Sequence, residues 1–532
     1  MTLKSAARPL AVNAPDDRTW RWGVGLILGL VAIAHLRFMA LDPRLPWDAN
    51  LCYDQLPLML GALNKLPQPG LGRIARLVFT ETTGGYDLLL ALPMVLGAPR
   101  ALVFELFGLF WVLSSLLCVA FLARRLFGGP AAVMAPALLA GGWAVVVLGR
   151  GTWIHVPELA LVLVVLCGLV LDPPLRRWGV VVLVALAGGA AMGIRPSGAL
   201  WMFSLLPLLG FGLLRQRPRR GGWVRLSAVL SCWLVGAIPT MMELWPYVQG
   251  KLQRRQAYGH LLQYDTLLRQ LWAMVGVLPV ILGALGLVVL GVRFRSTVLA
   301  AVRGPVLVLV VWLVLGPVLV LVFRAGLDNF PAFGVALAVL GAGGLARLPR
   351  PVWLLPLVAF GVNWLPQWLP ERPRETTQPL LRTYLQALPG LSYRVDDRLD
   401  PALVSRLLDA TCPRGQSDRC VVVVDHGLFS PSPEEPGRLE LFLLNRPWVA
   451  LLPVYVPRVP HWGHQPHAFA SYSCRFFESR WSTRRPGWEE AGRRVRVQRG
   501  MELAWELDLG RGCTYRWYTP GGALLFPERL LE

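Results

Sequence analysis

The chain has 532 residues, of which 55% are hydrophobic and only 16% charged, with a mean hydropathy of +0.49. That balance excludes a water-soluble globule of this length and makes a lipid bilayer the solvent for most of the chain. The net charge of +21 invites a nucleic-acid reading, but the arginines are spread between apolar runs and build no single aromatic-studded groove, so no nucleic-acid partner is expected.

Lys4, Arg8, Arg18 and Arg21 precede the first long apolar run. By the bias of basic residues toward the cytoplasm they hold the N-terminus inside. That run is too long for a cleavable leader and lacks a small-residue cleavage site, so it reads as a retained signal anchor. Further apolar runs follow, each approaching the roughly 20 residues that cross about 30 Å of hydrocarbon as a helix. The spans expected from them are 20–40, 101–122, 130–149, 155–171, 178–194, 197–214, 226–246, 271–292, 303–323, 329–346 and 351–369, about eleven in all. Arginines recur at every second connection: Arg124 and Arg125, Arg176 and Arg177, the group from Arg215 to Arg225, Arg293 to Arg303, and Arg347 with Arg350. An odd number of spans then puts the C-terminus outside. The short apolar stretch 88–96 would invert every later connection if it spanned, so it is read as an interfacial helix.

Two external connections are long enough to hold a site, 41–100 and 244–270. Within the first, Leu45-Pro-Trp-Asp-Ala-Asn-Leu-Cys-Tyr-Asp-Gln-Leu-Pro57 places Asp48 and Asp54 just past the outer end of the first span. A carboxylate there can take a proton from an attacking hydroxyl or coordinate a divalent cation; from spacing alone, two solvated loop residues read equally well.

From Glu371 onward charge and proline density rise, and runs such as 420–424 and 494–497 have strand character, so residues 371–532 are expected to form an extracytoplasmic α/β domain after a membrane domain over 1–370. Cys412, Cys420, Cys474 and Cys513 all fall there, an even set suited to two disulfides in an oxidising compartment. Nearest-neighbour pairing gives Cys412 with Cys420 and Cys474 with Cys513, one of three connectivities. His461, His464 and His467 are interrupted by Pro460 and Pro466, which forbid a helix that would align them, so no metal site is assigned.

The 45–57 segment resembles the first external loop of the C-type superfamily of integral membrane glycosyltransferases, the group of the protein O-mannosyltransferases and the lipid A aminoarabinose transferase. The resemblance continues through Gly85-Tyr-Asp-Leu-Leu-Leu-Ala-Leu-Pro-Met-Val-Leu-Gly-Ala-Pro99, Ala123-Arg-Arg-Leu-Phe-Gly-Gly129 and Phe323-Arg-Ala-Gly-Leu-Asp-Asn-Phe-Pro331, and covers roughly residues 20–370. It implies an α-helical polytopic membrane fold in the cytoplasmic membrane. It also implies sugar transfer, with inversion, from a polyprenyl-phosphate donor to an extracytoplasmic glycan, lipid or protein. Asp48 is then the base, with Asp54 second. The chain departs from the family in the second external turn, where it has His155 and Glu158 instead of an aspartate. The departures leave a divalent-cation cofactor open. Arg150, Arg195, Arg254, Arg255 and Arg324 lie at or beside expected external span ends, where a guanidinium can snorkel outward and grip the phosphate of the donor. A transporter or lipid flippase is the rival reading, and a catalytically silent relative is a third.

Overall fold

The computed structural model describes residues 17–41, 59, 63, 70–80, 84–98, 100–142, 154–172, 175–214, 220–258, 275–293, 304–323 and 330–368. In the C-terminal third it describes 406–407, 409–412, 420–424, 449–453, 467–474, 496–497, 500–510 and 513–522.

Helices fill the first part of the chain: α1 (Asp17–Leu41), α2 (Gly70–Thr80), α3 (Gly84–Val95), α4 (Arg100–Phe127), α5 (Gly129–Ala140), α6 (His155–Leu171) and α7 (Trp178–Ile194). They continue as α8 (Pro196–Phe203), α9 (Leu206–Leu214), α10 (Arg220–Tyr258), α11 (Val277–Arg293), α12 (Pro305–Phe323), α13 (Phe330–Leu345) and α14 (Leu355–Trp368). Among the described residues, two segments, Leu106–Phe127 and Gly221–Pro239, are both long and apolar enough to cross a bilayer, and shorter apolar helical stretches of 10–17 residues accompany them. Leu26, Phe110, Leu186, Leu234, Val288 and Val314 are more than half exposed, as expected of side chains that face lipid.

Helices occupy most of the expected spans, and two differences have local causes. The 197–214 run is two helices, because Pro207 in the first turn of α9 has no N–H to continue the ladder from α8. The 244–270 connection is not all loop: α10 runs on to Tyr258, because Lys251-Leu-Gln-Arg-Arg-Gln-Ala-Tyr258 is polar yet made mostly of good helix formers. The 88–96 stretch is helical through Val95, as expected of a helix there, and belongs to α3, which buries Tyr86, Asp87, Leu90 and Ala91.

Close packing uses small residues, since lipid tails supply no hydrophobic drive between helices. A Cβ on Gly344 would stand 1.8 Å from the Gly286 carbonyl oxygen, so α11 and α13 meet backbone to backbone. Gly189 of α7 meets the Cys232 backbone of α10, Gly188 makes room for the Trp233 side chain, and the Trp233 indole donates to the Val184 carbonyl at 3.0 Å.

The strands follow: β1 (Cys420–Val424), β2 (Val449–Pro453), β3 (Ala468–Cys474), β4 (Met501–Gly510) and β5 (Cys513–Pro520). They form one mixed sheet in the order β2-β1-β3-β5-β4, with β1 parallel to β2 and β3, and β5 antiparallel to β3 and β4. β1 is an unbroken apolar run, as a strand flanked by parallel neighbours has to be. A disulfide joins Cys412 to Cys420 with Cα atoms 5.7 Å apart. It ties the end of the helical residues 409–411 to the strand, and the neighbouring Thr411 hydroxyl accepts from the buried Trp517 indole of β5 at 3.2 Å. Arg496 and Val497 are helical, not part of a strand over 494–497; the Arg496 guanidinium lies over the Phe469 and Tyr518 rings at 5.4 and 4.7 Å.

Candidate functional site

The polar groups of the helical body sort to two ends. At one end Arg124 lies over the Trp20 ring at 4.2 Å, Arg225 donates to the Leu175 carbonyl at 3.3 Å, and Gly343 meets Phe127. Asp172 is buried there and accepts from the Arg177 backbone N–H at 2.7 Å, closing the turn between α6 and α7. This end gathers the arginines that the sequence places in alternate connections.

The opposite end gathers buried ionisable groups from several places in the chain. α6 starts there with His155 and Glu158, 5% and 4% exposed, one turn apart and so on one face. α7 ends there at Arg195, whose backbone is extended (φ −161°, ψ 150°) because Pro196 bars the residue before it from helical geometry and then opens α8. α3 arrives with Asp87, fully buried, close to a tight crossing in which a Cβ on Gly85 would stand 2.6 Å from the Gly193 carbonyl oxygen. α1 adds His35, 1% exposed, with Nδ1 2.9 Å from the Val31 carbonyl oxygen.

Three of these groups meet at the His155 ring. Arg195 Nη1 contacts His155 Nδ1 and lies 3.0 Å from its Nε2, and His155 Nδ1 lies 3.9 Å from Glu158 Oε2. Glu158 Oε1 has no hydrogen-bond partner among the described residues. Arg195 and Glu158 thus both approach the imidazole at Nδ1, and a guanidinium, an imidazole and a carboxylate gathered this way can hold an anion or exchange a proton. Among the described residues no group of three or more His, Cys, Asp or Glu side chains is arranged to hold a metal ion.

The structure places the expected site residues unevenly. Arg195 is brought against His155, a contact that spans 40 residues of sequence. Arg254 and Arg255 lie on the far turns of α10. Asp48, Asp54, Arg150 and Arg324 lie outside the described residues. Cys474 and Cys513 are register partners at the ends of β3 and β5. Asp87 was not singled out from the sequence, although a lone carboxylate within the apolar helix Gly84–Val95 is a signal that could have found it.

No protein-family model matches the chain, and no curated protein matches it. Solved structures do. ArnT from Cupriavidus metallidurans bound to undecaprenyl phosphate is similar over 95% of this chain and 99% of that one, with a TM-score of 0.51 and 14% identity. The same protein in the apo state has a TM-score of 0.49 at 14% identity, covering 95% of this chain and 99% of that chain. The Archaeoglobus fulgidus oligosaccharyltransferase in complex with Zn and sulfate has a TM-score of 0.47 at 13% identity, covering 93% of this chain and 73% of that chain. At 14% identity, the likeness to ArnT is one of fold.

Proposed function

We propose that the chain is a membrane glycosyltransferase that moves a sugar from a polyprenyl-phosphate donor to an acceptor on the outer side of the cytoplasmic membrane. The observation that carries this reading is the likeness to ArnT over nearly the whole of both chains. The cluster of buried ionisable groups at the end opposite the arginine-rich turns supports it, because ionisable side chains buried in a membrane body mark working sites. Residues 1–370 are the membrane domain and 371–532 the extracytoplasmic domain.

In this mechanism Asp48 takes the proton of the acceptor hydroxyl as that oxygen attacks the anomeric carbon. The bond from that carbon to the phosphate oxygen breaks with inversion, and the polyprenyl phosphate leaves as an anion. Guanidinium groups, Arg195 among them with Arg150, Arg254, Arg255 and Arg324 as further candidates, offset the charge that develops on the leaving oxygen. Should Asp48 bind a divalent cation, that ion would supply further charge stabilisation to the phosphate.

The test is direct. Membranes containing the overproduced chain, given a radiolabelled undecaprenyl-phosphate-linked sugar, are expected to release undecaprenyl phosphate faster than membranes without it. An intact donor that instead crosses to the other leaflet supports a flippase and overturns the transferase reading.

A further inference from the structure

We infer that Arg496, laid across the Phe469 and Tyr518 rings of the C-terminal sheet, is the binding residue of an anion site that takes a phosphate group. The inference goes beyond sugar transfer and does not rest on it.

Phe469 of β3 and Tyr518 of β5 are register partners on antiparallel strands, so their side chains stand on one face of the sheet. Their rings meet edge to face with centroids 5.8 Å apart, and Phe469 is buried. Two strands and their own packing thus fix the pair as a platform. Arg496 lies over both rings, its guanidinium carbon 4.7 Å from the Tyr518 centroid and 5.4 Å from that of Phe469. Ring faces attract a guanidinium, yet they carry no net charge and leave its positive charge unneutralised.

The same sheet shows a neutralised arginine for contrast. Arg516, two residues before Tyr518 and so on the same face, donates from Nε to Glu506 Oε2 at 2.7 Å. Arg496 pairs with no carboxylate among the described residues, and its Nε is buried with no hydrogen-bond acceptor. The residue as a whole is part-exposed, so the side chain still reaches the surface.

A guanidinium held on rings keeps the planar N–H fork that matches two phosphate oxygens, and it has fewer rotamers left to lose when a ligand arrives. The local sequence adds charge of one sign: Arg493-Arg-Val-Arg-Val-Gln-Arg499 contains four arginines and no acidic residue. Such a run favours a ligand with more than one negative charge, which selects a phosphate monoester over a lone carboxylate.

Isothermal titration of the full-length chain in a phosphate-free sugar detergent tests this, with melting temperature measured alongside. One arm uses inorganic phosphate and the other a short-chain phosphatidic acid. Binding of inorganic phosphate assigns the site to the phosphate group itself, and binding of the lipid alone assigns it to a headgroup. In either arm Arg496→Gln is expected to weaken binding at least about 10-fold, the loss of a charge-assisted hydrogen bond. Arg496→Lys keeps a cation but loses the fork, and is expected to weaken binding about 3- to 10-fold at an unchanged melting temperature. It decides alone should Arg496→Gln melt early. Arg125→Gln, which removes a guanidinium lying over the Phe121 ring in the helical body, is expected to bind as the wild type does. Wild-type protein that binds in neither arm, undiminished binding by either Arg496 variant, or an equal loss in Arg125→Gln overturns the site.

Discussion

Arg195 shows what a single residue reveals in sequence and what it hides. Its place beside an expected external span end was legible because a cationic residue between apolar runs has few roles beyond anchoring or ligand binding. Its partner was not legible, since nothing in a linear sequence says that position 195 meets position 155. His155 was visible only as a departure from a family pattern. A second buried contact of this kind gives a prediction: the fully buried Trp312 indole donates to Ser204 Oγ at 2.7 Å, across 108 residues. Ser204→Ala leaves that N–H without its acceptor and is expected to destabilise the protein by about 1–2 kcal/mol, the scale of a hydrogen bond between membrane helices. A thermal melt in detergent unchanged from wild type would count against the contact.

Among elements, helix positions were legible because a bilayer demands long apolar runs, whereas helix ends were not. Hydropathy falls at residue 246, but the polar residues that follow favour a helix, so α10 carries its last turns on to Tyr258. The same gap hid the break at Ser204, where composition stays apolar while Pro207 interrupts the backbone. Helix pairing gives the second prediction. Gly286→Val would drive a side chain into the Gly341 carbonyl, whose oxygen lies 2.0 Å from where the new Cβ would stand, and is expected to cost more than about 2 kcal/mol. Gly291→Ala, with open space around it, is expected to be nearly neutral. Equal melting temperatures for the two variants would contradict the close α11–α13 contact. In the sheet, Cys474 and Cys513 stand opposite each other on antiparallel strands, a spacing of about 4.5–5.5 Å between Cα atoms that a disulfide can bridge. Peptide mapping without reductant is expected to recover them as one cross-linked pair beside Cys412–Cys420; free thiols at both positions would refute the pairing.

For the whole molecule, class and polarity were legible from composition and charge: a helical body followed by strands, with basic residues in alternate connections. The structure gathers Arg124, Arg177 and Arg225 toward one end and His35, Asp87, His155, Glu158 and Arg195 toward the other. If the basic end faces the cytoplasm, the C-terminus lies outside, and alkaline phosphatase fused to it is expected to be active. Activity only from a cytoplasm-dependent reporter would invert the topology and put the site on the wrong face for an external acceptor. What stayed illegible at this scale is the sheet order, because β1 pairs with β2 and β3 through parallel contacts that no hairpin signal announces.

Consumption of a lipid-linked sugar by membranes carrying wild type, Asp48→Asn or Asp54→Asn tests the central claim most directly. Asparagine keeps the shape of the aspartate and removes the proton acceptor, and general-base catalysis is worth about 10²- to 10⁴-fold in rate. The account predicts donor consumption by the wild type, its loss by at least about 100-fold in Asp48→Asn at unchanged protein level, and a smaller loss in Asp54→Asn. A fully active Asp48→Asn would contradict the assignment of the base, and a wild type that consumes no donor would contradict the account as a whole.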